Sequence, residues 1–273
     1  MSPTDRNSAL TVVVIYPDLL GTYGDGGNGV ILARRASWRG IDAELVQADS
    51  GRPLPSADIY CIGGGEDAPQ VRAAEALRAD RTFSRAVEQG AVVLGVCAGY
   101  QLLGRSFPDG AGRPHDGLGF LDVSTTKGRG TRAVGELLAS VTADAPRLPT
   151  GRPLPMLTGF ENHGGRTAVG GGSGAVARVV RGVGNGVGDH TEGAWSDRVF
   201  GTYLHGPVLA RNVALADLLV GWALSAPGSA PVALEPLDDG DEEALRRERL
   251  AAVGPDRPSC PLRRLRARRS GRG

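Results

Sequence analysis

Short apolar runs and longer amphipathic stretches alternate along the first hundred residues. The run Thr11 to Tyr16 is almost entirely apolar and β-branched, which is typical of a strand buried on both faces of a parallel sheet. Similar patterns predict strands over residues 11–16, 41–47, 58–62 and 91–96, with helices over residues 29–39 and 68–88 between them. Strands that alternate with helices predict an α/β fold with a doubly wound, mostly parallel sheet flanked by helices. In such folds, ligands bind beyond the carboxyl ends of the strands.

The pattern changes after Gly104, where short strand-like runs are joined by glycine-rich turns. These runs predict extra short strands over residues 118–124, 134–141, 156–161, 175–181 and 199–204. The glycine-rich stretch 169–188 predicts exposed loops, because it has few side chains that can build a core. An apolar helical pattern over residues 209–224 closes the globular part.

Residues 225–273 differ in composition from the rest of the chain. They contain six prolines, an acidic cluster at residues 238–243 and a short helical pattern at residues 242–253. We therefore predict an N-terminal tail of residues 1–9, one domain of residues 10–224 and a C-terminal extension that is largely disordered.

Composition and charge narrow the possible classes of protein. With 273 residues, of which 41% are hydrophobic and 22% charged, the chain can bury one large core. No apolar run approaches the roughly 18 residues that a membrane helix needs, so we expect a cytoplasmic protein. The net charge of +1 conceals seven arginines and no acidic residue within residues 257–273. This tail is either a solvated, disordered segment or a contact for anionic lipid, and we expect no nucleic-acid partner.

The three cysteines are too few and too scattered for a disulfide framework or a metal site, which leaves thiol chemistry open. Cys97 follows a buried strand pattern in the sequence Gly95-Val-Cys-Ala-Gly99. Glycines two positions before and after a nucleophile remove the Cβ atoms that would clash at a sharp strand-to-helix turn. The start of a helix also favours a thiolate over a thiol. Cys97 is therefore the predicted nucleophile, and the alternative is a buried cysteine that only packs.

A thiolate nucleophile needs a base and an oxyanion hole. His205 follows the last predicted strand, where a doubly wound sheet presents functional groups, and is the preferred general base. His163 is the second choice, while His115 and His190 lie in polar loops and are predicted to be surface residues. For the oxyanion hole we predict the backbone N–H groups of Gly64 and Ala98, although three adjacent glycines can also form an ordinary tight turn.

Two of these motifs resemble a known enzyme class. The sequence Gly-Val-Cys-Ala-Gly-Tyr-Gln at residues 95–101, with Gly63-Gly64-Gly65 and a later histidine, resembles the class I glutamine amidotransferases. Gly-Thr-Tyr-Leu-His-Gly-Pro at residues 201–207 resembles their CobB/CobQ-like branch. The resemblance covers about residues 10–224 and implies a flavodoxin-like sheet. The C-terminal extension lies outside it.

Within that branch the chain is similar to the glutaminase subunits of lipid II isoglutaminyl synthases. The similarity rests on residues 201–207 together with Tyr-Gly-Asp-Gly-Gly-Asn at residues 23–28 and Gly-Phe-Glu-Asn-His-Gly-Gly-Arg-Thr at residues 159–167. It implies that ammonia from L-glutamine passes to a Mur-ligase-like subunit (MurT in that family) in a heterodimer. That partner binds ATP and Mg²⁺ and amidates the D-glutamate of lipid II at the inner face of the membrane. No cofactor is expected in this chain, because it has no Gly-x-x-x-x-Gly-Lys-Ser/Thr loop.

The resemblance also implies roles for individual residues. It implies Cys97 as nucleophile, His205 as its histidine, Arg132 as the ligand of the glutamine carboxylate and Gln101 as a neighbour of the substrate. Arg129 is close enough to Arg132 to be an alternative ligand. A guanidinium suits this role because it can bind a carboxylate through two hydrogen bonds.

One position departs from the wider class, which usually has an acid two residues after the histidine. Here that position is Pro207. We therefore expect the partner subunit to supply the orienting carboxylate, with Glu161 or Asp25 of this chain as alternatives. Two other functions remain open at this point: ammonia supply to a corrinoid-amidating synthetase, against which residues 159–167 argue, and a non-catalytic scaffold of the same fold.

Overall fold

The structure is a computed structural model and describes residues 9–253. Its main sheet has six strands in the order β13-β14-β4-β3-β1-β2. The strands are β1 (Leu10–Ile15), β2 (Ala43–Ala48), β3 (Ile59–Ile62), β4 (Val92–Val96), β13 (Ala194–Ser196) and β14 (Val199–Thr202). All neighbours are parallel except β13 and β14, which form an antiparallel pair at one edge. The five parallel strands have the 2-1-3-4-5 order of flavodoxin-like folds, as the sequence predicted.

Helices cover this sheet because its central strands are apolar on both faces. All residues of β3, β4 and β14 are buried. The helices are α1 (Pro17–Leu20), α2 (Gly27–Ser37), α3 (Asp67–Ala79), α4 (Arg81–Glu88), α5 (Ala98–Leu103), α6 (Val208–Arg211), α7 (Val213–Ala223) and α8 (Gly240–Val253). The chain runs outward from β1 to β2 through α2 and returns from β3 to β4 through α3 and α4. Right-handed crossovers therefore place these helices on opposite faces of the sheet.

Two four-stranded sheets follow the main sheet in the chain, with the orders β10-β7-β5-β6 and β12-β11-β8-β9. Their strands are β5 (Ser106–Pro108), β6 (Pro114–Asp116), β7 (Val123–Lys127), β8 (Ala133–Val141), β9 (Leu157–His163), β10 (Gly165–Val169), β11 (Ala177–Arg181) and β12 (Thr191–Glu192). A β-bridge between Phe160 and His205 joins β9 to the chain just beyond β14. The second sheet thus reaches the carboxyl edge of the first.

Some predicted boundaries shift. The strand predicted over residues 118–124 begins only at Val123, and the helix predicted over residues 209–224 divides at Asn212. The Asn212 backbone is not helical, because its side chain bonds the backbone of Thr158 on β9 and the carbonyl of Val208. The strands β5 and β6 have three residues each, too few to produce a clear alternating pattern.

The prediction of a largely disordered extension is wrong for residues 225–253, which pack on the domain. Arg35, which is 2% exposed, forms ion pairs with Asp217 of α7 and Asp239 of the extension, both at 2.7 Å. Arg246 of α8 donates to the carbonyl of Met156. A buried guanidinium between two carboxylates ties the extension to the core. The arginine-rich residues 257–273 lie outside the described residues.

None of the helices within residues 9–253 has the length and apolar character needed to cross a bilayer.

Candidate active site

Cys97 lies on a strained turn between β4 and α5, as predicted. Its backbone has φ 53° and ψ −103°, which non-glycine residues rarely adopt. A Cβ atom at Gly99 would lie 2.3 Å from the Ile62 carbonyl oxygen, and one at Gly95 would lie 2.8 Å from the backbone of Gly99. Only glycine fits at these two positions, so the glycine spacing is a steric requirement of the turn.

His205 lies beside Cys97 at the carboxyl edge of the main sheet. A Cβ atom at Gly64 would be 2.8 Å from His205 Cε1 and 3.5 Å from Cys97 Cβ, so the three residues converge on one point. The His205 ring is 1% exposed, and its Nδ1 lies 2.9 Å from Asp25 Oδ2. Its Nε2 is buried and has no hydrogen-bond partner among the described residues. This nitrogen is therefore available for proton transfer.

The surroundings of His205 favour its protonated form. Burial alone would lower its pKa, but the hydrogen bond with Asp25 and the nearby Cys97 sulfur outweigh burial and raise the pKa to about 10. A histidine that keeps its proton at neutral pH stabilises a neighbouring thiolate. The surroundings thus favour an imidazolium at His205, next to the Cys97 sulfur.

A carboxylate of this chain lies against His205: it belongs to Asp25, one of the two alternatives to the expected partner acid. Asp25 precedes α2 and is 2% exposed. Its two carboxylate oxygens lie 3.2 and 2.9 Å from His205 Nδ1. The other candidate within the chain, Glu161, instead accepts hydrogen bonds from the backbone N–H groups of Val183 and Gly184.

The predicted oxyanion hole needs one correction. The Gly64 N–H donates to Asp25 Oδ2 at 2.9 Å, so it is not available to an oxyanion. The N–H groups of Ala98 and Gly65 have no hydrogen-bond partner among the described residues, and both residues line the cleft beside Cys97. The N–H groups of Ala98, which the sequence suggested, and of Gly65 are therefore the ones free to donate to an oxyanion.

The cleft in front of Cys97 has charged groups suited to an amino-acid substrate. Arg132 and Lys127 are basic and Asp67 and Asp109 are acidic among the residues that line it, whereas Arg129 is not among them. Gln101 also lines the cleft. Its side chain accepts a hydrogen bond from Gln70 at 2.9 Å and donates one to the Tyr203 hydroxyl at 3.1 Å, so its position is fixed. Apart from Arg132, these charged residues could not be predicted from local sequence, because they come from separate elements: Asp67 begins α3, Asp109 follows β5 and Lys127 ends β7.

The other histidines are placed differently. His163 lines the cleft, but its Nδ1 faces the carbonyl of Gly165 at 3.2 Å and its Nε2 faces Glu161 at 3.4 Å. Both ring nitrogens are therefore directed at acceptors away from Cys97. His190 is exposed, and His115 is half-buried near Asp109. Among the four, His205 has the geometry of a general acid and base.

Sequence comparison identifies the family. Residues 11–213 match the model of the CobB/CobQ-like glutamine amidotransferase domain, which covers most of the chain. The chain belongs to the CobB/CobQ-like glutamine amidotransferase family. A crystal structure of a glutamine amidotransferase shares the fold, with a TM-score of 0.52 and 20% identity over 79% of this chain and 99% of that one.

Two relatives of this amidotransferase are similar over nearly their whole length. It is 32% identical to subunit GatD of the glutamine-hydrolysing lipid II isoglutaminyl synthase of Staphylococcus aureus, over 88% of this chain and 94% of the relative. It is 31% identical to the GatD subunit of Streptococcus pneumoniae, over 84% of this chain and 86% of the relative. Both similarities extend beyond the amidotransferase domain match into the C-terminal part of the chain.

Proposed function

We propose that this amidotransferase is the glutamine-hydrolysing subunit of a lipid II isoglutaminyl synthase. The observation that carries the proposal is the buried arrangement of Cys97, His205 and Asp25 at the base of a cleft lined by Arg132. The GatD relatives support the choice of acceptor. Hydrolysis of an amide through a thioester needs a nucleophile, a proton donor and a group that binds the substrate carboxylate, and in this proposal these are Cys97, His205 and Arg132.

The first half of the reaction forms a thioester. The Cys97 thiolate attacks the side-chain amide carbon of glutamine, and the Ala98 and Gly65 N–H groups stabilise the resulting oxyanion. His205 donates its Nε2 proton to the amide nitrogen as the carbon–nitrogen bond breaks, so that ammonia leaves. Asp25 keeps the ring oriented and stabilises its charge throughout.

The second half regenerates the enzyme. The neutral His205 Nε2 removes a proton from water, the hydroxide adds to the thioester carbon, and the carbon–sulfur bond breaks to release glutamate and the Cys97 thiolate. Arg132 holds the α-carboxylate of the substrate in both halves, which fixes the distance between the side-chain amide and the thiolate.

Ammonia then serves a second active site. In this proposal a Mur-ligase-like partner, in a heterodimer with this chain, binds ATP and Mg²⁺ and activates the α-carboxylate of D-glutamate in lipid II. Ammonia attacks that activated carboxyl group and yields D-isoglutamine. This chain itself supplies only the nitrogen.

The deciding experiment follows the nitrogen atom. The co-purified complex is given glutamine labelled with ¹⁵N in its side-chain amide, together with ATP, Mg²⁺ and lipid II. Mass spectrometry should find the label in the D-isoglutamine amide. Label in a corrinoid acid offered in a parallel reaction, but not in lipid II, would favour the corrinoid alternative. Failure of 6-diazo-5-oxo-norleucine to modify Cys97 would favour a non-catalytic scaffold.

The basic C-terminal residues suit a location at the membrane, where lipid II resides. We include in the proposal that the seven arginines of residues 257–273 contact anionic lipid at the inner face of the membrane. Each arginine near such a surface contributes about 1 kcal/mol, which salt weakens. Sedimentation with anionic vesicles should decrease when residues 257–273 are deleted, and the difference should disappear at high salt. Equal sedimentation of both forms at low salt would argue for a merely solvated tail.

A further inference from the structure

Two of the sequence motifs meet through Tyr23 and Asn162, and Asn162 contacts the cleft residue Arg132. Tyr23 opens the motif of residues 23–28, and Asn162 lies on β9 within the motif of residues 159–167. The Asn162 side-chain amide donates to the Tyr23 hydroxyl at 2.5 Å. Neither residue has a role in the reaction described above, although both lie next to residues that do.

Asn162 also holds Arg132. The Arg132 Nε donates to Asn162 Oδ1, and its Nη2 donates to the Asn162 carbonyl oxygen at 2.9 Å. These two donors form one edge of the guanidinium, so the opposite end, with Nη1, remains open for a carboxylate. Nη1 has no hydrogen-bond partner among the described residues.

Arg132 needs such support because its own backbone provides little. It is exposed and follows Gly128 and Gly130, and Gly130 has φ 122°. A long side chain on a glycine-rich segment samples many rotamers, and ordering it on binding costs free energy. A contact that orders the side chain beforehand reduces that cost.

The loop that carries Tyr23 is itself anchored at the catalytic residues. The Tyr23 ring lies edge-on to the His205 ring, with centroids 4.9 Å apart. Two residues later Asp25 bonds His205, and Asn28 accepts a hydrogen bond from the Leu209 N–H at 3.0 Å. One loop therefore fixes both the orientation of His205 and, through Tyr23, the amide that holds Arg132.

We propose that Asn162 is a positioning residue that, locked by Tyr23, sets the Arg132 guanidinium for the α-carboxylate of glutamine. The inference rests on the proposed glutaminase function and deepens it. The segment of residues 23–28, which leads into α2, then aligns both ends of the substrate. Its Asp25 orients the acid and base at the side-chain amide, and its Tyr23 fixes the group that binds the carboxylate.

A double-mutant cycle tests this proposal in the complex. Ammonia release from glutamine is measured for the natural chain, Asn162→Ala, Arg132→Ala and the double variant. We expect Asn162→Ala to lower kcat/KM about tenfold, mainly through KM, since it loosens one charge-assisted contact. In the Arg132→Ala background the same change should have almost no further effect. A full, additive loss in that background would overturn the proposal.

A substrate without the carboxylate separates positioning from a general structural role. 4-Aminobutanamide is glutamine without its α-carboxylate, so Arg132 has nothing to bind. Asn162→Ala should leave its hydrolysis nearly unchanged, whereas a general loss of structure would lower the hydrolysis of both substrates equally and overturn the proposal. Tyr23→Phe removes only the hydroxyl of a half-exposed side chain. It should lower the ratio of kcat/KM for glutamine to kcat/KM for 4-aminobutanamide about threefold, because Asn162 loses its bond to that hydroxyl.

A control variant at Thr126 shows whether the effect is specific to Asn162. Thr126 lies on the exposed end of β7 and outside the cleft lining. Thr126→Ala should therefore leave kcat/KM unchanged for both glutamine and 4-aminobutanamide. If the natural complex releases no ammonia from glutamine, the proposed function itself fails. If it does and Asn162→Ala leaves KM for glutamine unchanged, only the positioning role fails.

Discussion

The carboxylate of Asp25 lies 2.9 Å from Nδ1 of His205, although 180 positions separate the two residues in the chain. Both side chains are almost fully buried. The same carboxylate accepts the Gly64 N–H, which fixes it from a second direction. The chain therefore brings a cysteine, a histidine and an aspartate together at one point, with the histidine already bonded to a carboxylate of its own chain.

Replacing this acid should impair catalysis more than substrate binding. We expect Asp25→Asn to lower kcat for glutamine hydrolysis by on the order of 10² to 10⁴, because the amide allows the wrong His205 tautomer and cannot stabilise the imidazolium. Asp25 helps to raise the pKa of His205 to about 10, so its removal should move the alkaline limb of the pH–rate profile to lower pH. Profiles of kcat for both forms provide the measurement.

Asp18→Asn is the matched control, since the exposed Asp18 follows the same strand β1 as Asp25 but bonds Ser50 and not His205. It should leave the alkaline limb in place. If Asp25→Asn retained full kcat in the complex, a carboxylate of the partner would have to orient His205 after all.

Removing the nucleophile should separate the two reactions of the complex. Cys97→Ala should abolish amidation with glutamine while amidation with added ammonium continues, because only the nitrogen source is lost. Product formation is measured with each nitrogen donor. Cys61→Ala is the matched control: this buried cysteine lies on β3, and burial raises the pKa of its thiol to about 12, so it is unreactive. Glutamine-dependent product from Cys97→Ala would exclude Cys97 as nucleophile.

The sequence predicted the features that depend on local sterics and failed where distant segments meet. The glycines around Cys97 indicated the turn, because only glycine fits at Gly95 and Gly99. Asp25, which follows β1, could not be chosen over the other acids, since its contact with His205 depends on the order of the strands, in which β3 and β4 lie between β1 and β14. The wrong choice of Gly64 as a donor has the same origin, because its N–H is occupied by that distant carboxylate.

The C-terminal extension illustrates the same limit. Its proline and acidic content is typical of disorder, and nothing in the local sequence shows that Asp239 meets the buried Arg35. A clue was available in α2, whose pattern places an arginine on the buried face. A buried charge requires a partner, but the sequence does not say which.

Loss of the carboxylate ligand should weaken substrate binding. Arg132→Ala should raise KM for glutamine, since a lost charge-assisted contact costs about 1.5–3 kcal/mol. The structure places Arg132 at the cleft, whereas Arg129 is exposed and outside the cleft lining. Arg129→Ala is therefore the matched control and should leave KM unchanged. A rise in KM for Arg129→Ala alone would reverse the assignment.

Glu192 is a buried acid that bonds Thr202 and Tyr203, and it should make the stability of the fold depend on pH. Glu192 is fully buried. Its Oε1 accepts the Thr202 hydroxyl at 2.5 Å and the Tyr203 N–H at 3.0 Å, and its Oε2 has no partner among the described residues. Burial, with a smaller effect from the charge of Glu161, outweighs these hydrogen bonds and raises the pKa of Glu192 to about 7.

The raised pKa of Glu192 determines how the free energy of unfolding changes with pH. The unfolded chain has the ordinary glutamate pKa near 4.5, so the native state binds the proton more tightly. The free energy of unfolding should therefore fall as the pH rises from about 4.5 to about 7, and by on the order of 3 kcal/mol at most. Glu192→Gln is neutral at every pH and can place its amide where Oε2 lacks a partner. It should remove this decrease and be more stable than the natural chain above about pH 7.

Urea unfolding at about pH 5 and about pH 8 measures the difference for both forms. Glu248→Gln, at an exposed position of α8, removes the same charge without burial and should reproduce the pH dependence of the natural chain. An equal decrease in stability between the two pH values for Glu192→Gln and the natural chain would show that Glu192 does not titrate in this range.

The decrease would then have to come from another group, and the raised pKa of His205 has the required sign. Its imidazolium contributes stability below its ordinary pKa of 6.5, and that contribution is lost as the pH rises toward about 10. Extending the series to about pH 10 in the Asp25→Asn background distinguishes these two sources, because that substitution lowers the pKa of His205 and leaves Glu192 untouched.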